Sequence, residues 1–292
     1  MKTVQVLMSS YNGEKYIREQ IDSILAQQGV SVKLMVRDDG STDSTCDILK
    51  EYENKKLLEV IYGKNVGPAK SFFDLINKAV DADYYALSDQ DDVWDGDKLI
   101  IAIDALSSIE DNYALYCSNT RLVDGNLNFI KNEDDNPLIS LESSLIKNFC
   151  TGCTVVFNKK LIKLLQNNTP RNVVAHDWWI NVVTLALDGK VIYDTNPHIC
   201  YRQHGSNVSG AEKNNILKAK NRLRKFLRGR YHRDLMAKEL LSRYESYISN
   251  EKKRALYTLE NGGLPLLFTK SYRTNSYIDT VLFKICVIFN KY

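Results

Sequence analysis

Tyr84-Tyr85-Ala86-Leu87-Ser88-Asp89-Gln90-Asp91-Asp92-Val93-Trp94 decides how the chain is read. Its first half is an apolar run of strand length. It stops at three carboxylates packed into four positions. Carboxylates this close repel and raise one another's pKa, and a cation between them relieves the repulsion. Hard oxygen donors suit Mg2+ or Mn2+, which can in turn hold a diphosphate. Open α/β sheets bind ligands at the carboxyl ends of their strands. The stretch therefore reads as a metal–diphosphate site, or as a solvated acidic loop that caps a helix starting near Asp95.

Upstream, the same pattern repeats. Thr3–Met8 reads as a strand and runs into the polar turn Ser9-Ser10-Tyr11-Asn12-Gly13. From Glu14 to Gln28, apolar residues at Tyr16, Ile17, Ile21, Ile24 and Leu25 keep helical spacing, and Gly29 stops the helix. Val32–Val36 is a second strand, ending at Arg37-Asp38-Asp39-Gly40-Ser41-Thr42-Asp43, where Thr42 or Asp43 can cap a helix running to about Tyr52. Leu57–Tyr62 is a third strand. Asn65-Val66-Gly67-Pro68-Ala69-Lys70-Ser71 opens a helix with Pro68 near its first turn. Four βα units in about 100 residues imply a parallel sheet with right-handed crossovers. The loops after strands one, two and four then share one edge and can converge on one ligand. No glycine-rich dinucleotide fingerprint and no P-loop pattern occur, which argues against a nicotinamide cofactor.

Downstream, the pattern predicts a helix over 95–108, a strand at Tyr113–Ser118, less regular chain over 119–148, a strand at Val155–Phe157 and a short helix over Lys159–Gln166. Ala175-His176-Asp177-Trp178-Trp179 enters a helix running to about Leu187. Strands follow at Lys190–Tyr193 and Ile199–Gln203, then His204-Gly205-Ser206-Asn207. Asp177 is either a functional carboxylate or the N-cap of its helix. Trp178 and Trp179 are either pocket walls or ordinary core.

The net charge of +3 hides an asymmetry. Residues 1–210 hold 21 Lys+Arg against 29 Asp+Glu; residues 211–292 hold 18 against 7. The chain divides accordingly into an α/β region over 1–210, with halves of about 1–118 and 119–210, and a helical basic region over 211–292. Lys213 to Arg233 carries nine basic and no acidic residues, with Leu217, Leu223, Phe226, Leu227 and Tyr231 between them. It reads as a basic amphipathic helix for a membrane surface, for RNA, or for a bundle with a solvated face. Tyr277–Phe289 is strongly apolar but too short to span a bilayer, and Asp279 and Lys284 interrupt it. The six cysteines include Cys150-Thr151-Gly152-Cys153, which has no second pair at zinc spacing and reads as plain packing. The N-terminus lacks a basic segment followed by a long apolar run, so a reducing cytoplasm is the expected compartment.

The order of motifs points further. Ser-Ser-Tyr-Asn-Gly, Asp-Asp-Gly-Ser, Asn-x-Gly-Pro-Ala, Asp-Gln-Asp-Asp-Val-Trp, His-Asp-Trp-Trp and Gln-His-Gly, at strand ends over residues 3–210, resemble the family 2 glycosyltransferases of GT-A fold, within them the rhamnosyltransferase-like bacterial branch. The resemblance implies a mixed, mostly parallel sheet. Ser9 and Tyr11 would line the base pocket. Asp38, Asp39 or both would bind base or ribose, with Lys70 beside the nucleotide. Asp89 and Asp91 would form the Asp-x-Asp pattern that meets ribose and the diphosphate-bound Mg2+ or Mn2+, and Asp92 would complete the cation's surroundings. His204 would reach the metal or diphosphate. Asp177 would be the catalytic base, and Trp178 and Trp179 would shape the acceptor or sugar pocket.

The implied activity is inverting transfer of L-rhamnose from dTDP-rhamnose onto a lipid-linked glycan in bacterial surface polysaccharide synthesis. The enzyme would be cytoplasmic and peripheral on the inner face of the cell membrane, held by its basic tail, through which two chains could also pair. UDP-sugars remain open as donors, and so does a nucleotide-sugar-binding regulator without catalysis. RNA binding is the reading set aside. The residue chemistry agrees: diphosphate departure needs a Lewis acid, the attacking hydroxyl needs a base, and water must be kept out. A single base without a second nucleophile implies one in-line displacement, hence inversion.

Overall fold

Val4, Val6 and Met8 face one way along the first strand and Leu7 the other, and all four are fully buried. A strand buried on both faces belongs inside a parallel sheet with helices on each side. The computed structural model, which describes residues 1–109, 111–166, 168–171, 175–204 and 233–289, has that arrangement. β1 (Lys2–Ser10) pairs in parallel with β2 (Val30–Asp38) and β4 (Tyr84–Ser88), and β2 with β3 (Glu59–Tyr62). Met8 lies opposite Ser88, and Ser10 opposite Asp38. The three carboxyl ends are therefore level, and their loops share one edge as expected.

On one face α1 (Ile17–Leu25), α2 (Thr45–Asn54) and α4 (Lys98–Leu106) cover Val4, Val6 and Met8. On the other face α3 (Pro68–Lys78), α5 (Leu141–Ile146), α6 (Lys159–Leu165) and α7 (His176–Ala186) share an apolar cluster with Leu7. The sheet continues through β6 (Ala114–Ser118), β9 (Val156–Asn158) and β10 (Lys190–Asp194) in the order β10-β6-β9-β4-β1-β2-β3. β9 runs antiparallel to both β4 and β6, which makes the sheet mixed but mostly parallel.

A second sheet carries the order β5-β11-β7-β8, from β5 (Val93–Trp94), β7 (Arg121–Val123), β8 (Phe129–Asn132) and β11 (Ile199–Arg202). The pairing of β5 with β11 places Trp94 opposite Ile199 and Val93 opposite Cys200. This small sheet brings the end of the acidic stretch beside the chain that leads into His204.

The tail folds as α8 (Arg233–Tyr244), α9 (Asn250–Asn261), α10 (Leu264–Phe268) and α11 (Tyr277–Ile288). Met236, Leu240, Tyr244, Leu256, Leu259 and Phe283 join the same apolar cluster as α7. No helix among the described residues is long and apolar enough to cross a membrane. The expected basic helix from Lys213 lies, up to residue 232, outside the described residues.

Candidate active site

The loops after β1 and β2 are locked by carboxylates. Asp38 is buried and accepts the amides of Gly40 (3.1 Å) and Ser41 (2.9 Å) and the Ser41 hydroxyl. Gly40 sits at φ 84°, and a Cβ there would press on Asn65 N at 3.1 Å and Gly63 O at 3.2 Å, so the turn needs glycine. Asp39 is buried as well. It pairs with Arg37 and accepts the amides of Val66 (3.0 Å) and Gly67 (2.9 Å), fastening this loop to the one that opens α3. Much of the hydrogen-bonding capacity of both aspartates is thus used within the protein. Ser9 Oγ lies 2.6 Å from Ser71 Oγ. The Tyr11 ring is exposed, and Lys70 lies exposed on the first turn of α3.

Gln90 joins these loops to the acidic turn. Its Oε1 accepts the Ser10 hydroxyl (2.9 Å) and the Tyr11 amide (2.8 Å), and its Nε2 donates to the Tyr11 carbonyl (2.9 Å). Asp89 and Asp91 are half-buried, and Asp92 is fully buried. Asp91 Oδ2 lies 2.9 Å from His204 Nε2. Asp92 Oδ1 accepts the Arg202 amide (3.1 Å), whereas its buried Oδ2 has no hydrogen-bond partner among the described residues. Ligating atoms of Asp89, Asp92 and Cys153 lie within 4.8 Å of one another.

Burial, then the charges of Asp91 and Asp177, push the Asp89 carboxyl up to about 7. Burial and the neighbouring Asp91 and Asp89 raise Asp92 too. Lys98, buried with Nζ 3.7 Å over the Trp94 ring, is brought down to about 7 by burial. Crowded carboxylates, an orphaned buried oxygen and an imidazole on their rim form a donor set that fits Mg2+ or Mn2+.

Asp177 approaches from the other side of the sheet edge. Ala175 is the N-cap of α7, and Asp177 lies in the first turn, so capping does not account for it. Its Oδ1 accepts the Trp178 amide at 2.7 Å. Burial raises its carboxyl to about 6, against the lowering effect of hydrogen bonds from Trp178, the Asn148 side chain and Gly152. Trp178 and Trp179 are both buried. Trp178 Nε1 donates to Ser144 O (2.6 Å), and the Trp179 ring lies 6.4 Å from that of Tyr244. They anchor α7 in the core and so fix where Asp177 stands. His176 stacks on Phe72 at 3.8 Å, and burial lowers it to about 3, so it stays neutral.

Gln90 and Arg202 escaped the sequence reading. The Arg202 guanidinium is fully buried. Its Nε donates to Asp91 O (2.8 Å) and one terminal nitrogen to Gly125 O (2.9 Å); another pairs with Glu19 at 2.5 Å. The group lies 4.3 Å over the Tyr16 ring, which also meets His204 at 5.0 Å. A charged residue inside an apolar strand, two positions before His204, was the available signal.

Chemically, the edge offers an acidic turn whose donors fit a divalent cation, flanked by polar loops, with a separate carboxylate of raised pKa nearby. A model of the family described as glycosyl transferase family 2 matches residues 5–165. A dTDP-rhamnosyl transferase, RfbG of Shigella flexneri, is 31% identical over 246 residues, covering 79% of this chain and 82% of its own. An Escherichia coli UDP-Glc:alpha-D-GlcNAc-diphosphoundecaprenol beta-1,3-glucosyltransferase, WfgD, is 30% identical over 162 residues, covering 54% of this chain and 61% of its own. Among solved structures, S. aureus TarS 1–349 in complex with UDP aligns over 90% of this chain and 71% of its own, with TM-score 0.60 and 19% identity. The mannosyltransferase PcManGT of Pyrobaculum calidifontis, in complex with GDP-Man and Mn2+, aligns over 99% and 88%, with TM-score 0.52 and 16% identity. The fold is that of the GT-A glycosyltransferases, and the chain belongs to glycosyl transferase family 2.

Proposed function

We propose that the protein is an inverting glycosyltransferase that moves a sugar, L-rhamnose from dTDP-rhamnose in the leading case, onto a hydroxyl of a lipid-linked glycan during polysaccharide synthesis. One observation carries the reading: Asp177 packs against Gly152, whose neighbour Cys153 lies within 4.8 Å of Asp89 and Asp92, so a carboxyl raised by burial stands beside the acidic turn. A base poised near neutral pH beside a diphosphate site is what single-displacement transfer requires.

In this reading the region over 1–210 is catalytic. Ser9, Tyr11, Asp38, Asp39 and Lys70 surround the nucleotide, the two aspartates chiefly by holding the loops that face it. Asp89 meets the ribose. Asp91 and His204 would hold the cation, with Asp92 beside them. A bound Mg2+ or Mn2+ would supply Lewis-acid neutralisation of the departing diphosphate. Asp177 takes the acceptor proton as the acceptor oxygen bonds to the anomeric carbon. The bond from that carbon to the diphosphate oxygen breaks, and the nucleoside diphosphate leaves. Trp178 and Trp179 keep the base rigid at the end of α7.

The donor assignment leans on RfbG, the lipid-linked acceptor on WfgD and the cation on PcManGT. TarS with UDP keeps a UDP-sugar as the competing donor. Residues 211–292 would hold the enzyme at the inner face of the cell membrane. The test is a panel of nucleotide sugars with purified protein, with and without Mn2+. Cation-dependent consumption of dTDP-rhamnose is expected. Preference for a UDP-sugar would overturn the rhamnosyl assignment, and no turnover of any donor would overturn the transferase reading.

A further inference from the structure

The helix α11 is apolar on both its inner and its outer face, interrupted by Asp279, Thr280 and Lys284, yet docked on one side only. Its inner face sets Phe283, Cys286 and Val287 into the core, with Phe283 stacked on Tyr272 at 5.8 Å. Its start is fastened by the Ser276 cap, an ion pair between Lys147 and Asp279 (3.1 Å) and a hydrogen bond from Asn275 to Asn136 O. The helix is therefore held in place rather than loosely attached.

Its outer face is the anomaly. Tyr277 is 81% exposed, Ile278 61%, Ile288 64% and Phe289 64%, and Phe268 at the end of the adjoining α10 is 81% exposed. Half-buried Val281 and Ile285 fill the turns between them. Residues 277, 281, 285 and 288 share one side of a helix, and 278, 285 and 289 extend it. Single exposed apolar residues need no explanation, but a contiguous rigid ridge does. Exposed Lys270 and Arg273 lie close by in sequence, and residues 233–292 hold 10 basic against 6 acidic residues. That charge repels a second copy of the same surface and attracts an anionic one. A helix of twelve residues with aromatic rings at both ends cannot span a bilayer but can lie in its headgroup layer.

We infer that the outer face of α11, with Phe268, is a docking surface for an anionic lipid bilayer, inserted to the depth of its apolar ridge. This rests on the reading of a lipid-linked acceptor and gives it a geometry. The ridge is separated from the base by one short helix: α11 packs on α5, and α5 receives Trp178 Nε1 at Ser144 O. A lipid-borne acceptor rising beside the ridge would meet the Asp177 side of the cleft. The surface differs from the basic segment before residue 233, because its contribution is apolar insertion and not charge alone.

The experiment uses the full chain, the exposed double variant Ile278→Glu/Ile288→Glu, and cosedimentation with vesicles of phosphatidylcholine with and without phosphatidylglycerol. The wild type should bind phosphatidylglycerol vesicles and resist release by moderate salt. The variant's affinity should fall about tenfold or more, with an unchanged melting temperature and unchanged donor consumption. Equal vesicle binding by the two proteins would overturn the inference. So would a wild-type dimer that the variant dissociates without any vesicle binding, which would assign the face to a second copy. A large fall in melting temperature would also overturn it, because the face would then be covered by the chain itself. Vesicle binding as expected, with no donor consumed by either protein, would instead overturn the transferase reading and leave the docking face standing.

Discussion

The two sides of the cleft are held by different forces. The loops after β1, β2, β3 and β4 are laced together by directional bonds: Asp39 to the Val66 and Gly67 amides, Gln90 to Ser10 and Tyr11, Arg202 to the Asp91 carbonyl. Asp177, itself half-buried, is positioned instead by its helix, whose next two residues are core tryptophans. Lacing fixes several groups in mutual register, and burial tunes the proton affinity of one. A change on the laced side should spread to its neighbours, and a change at Asp177 should remain chemical.

The sharpest break in that contrast is Asp177→Asn. Asparagine keeps an oxygen for the Trp178 amide at the same place, so the helix start should survive. Loss of a general base costs about 10²–10⁴ in rate, and transfer should fall about a thousandfold with nucleoside diphosphate affinity unchanged. Turnover and calorimetric binding on one preparation check this. Unchanged transfer would remove Asp177 as the base.

Arg202→Met is the opposite kind of break. It deletes a buried group that ties β11 to the acidic turn, to Gly125 and to α1. Loss of a buried hydrogen-bonding charge costs roughly 3 kcal/mol. Urea unfolding should show a loss of that order, and Mn2+ binding should weaken as the Asp91 carbonyl loses its donor and the Tyr16 ring beside His204 loses the guanidinium packed on it. Arg202→Lys, which keeps the charge but not the fork of donors, should fall between the two. A stability loss with unchanged Mn2+ affinity would show that Arg202 holds the fold and not the site.

The laced side was legible by one route, polar residues gathered where apolar strand runs stop; Asp177, at the start of a helix and not at the end of a strand, was singled out only by the resemblance of its His-Asp-Trp-Trp motif. β4 ends at Ser88 as expected, and the first three βα units match. Of the second sheet, only β11 was legible. β8 is exposed throughout, and β5 and β7 are two and three residues long, too short for an alternating pattern to register. The antiparallel β9 was read as a strand, but its direction is set by packing between β4 and β6, which no local pattern encodes. The same limit hid Gln90. As one amide among three aspartates it looked like a spacer, although its role depends on a loop 79 positions away.

That role sets a smaller test. Gln90→Ala removes three hydrogen bonds between the acidic turn and the first loop. These are partly exposed, each contributing about 0.5–1.5 kcal/mol. Nucleoside diphosphate affinity should weaken about tenfold through looser placement of Ser9 and Tyr11, with the pH profile of transfer unmoved. A shifted profile would mean that the two sides of the cleft are more tightly coupled than the contrast allows.

The smallest effect is the most specific to the buried side. Burial holds Asp177 at about 6, above its ordinary value of 3.8, and the base works only when ionised. Transfer should therefore rise with pH through about 6 and level off above it, so that lowering the pH from 8 to 6 costs only about half the rate. Stability runs the other way. A group whose folded pKa is raised contributes its full stabilisation below the unfolded value and loses it as pH rises through the folded one. Wild type should thus be weakened between about pH 4 and 7 in a way that Asp177→Asn is not. Above pH 7 the variant should be the more stable protein by on the order of 1–2 kcal/mol, with no advantage near pH 4. Urea unfolding of the pair at the two pH values measures it. An advantage that did not change with pH would mean that Asp177 strains the helix by its shape, and not that burial of its charge is the cost of keeping a base ready.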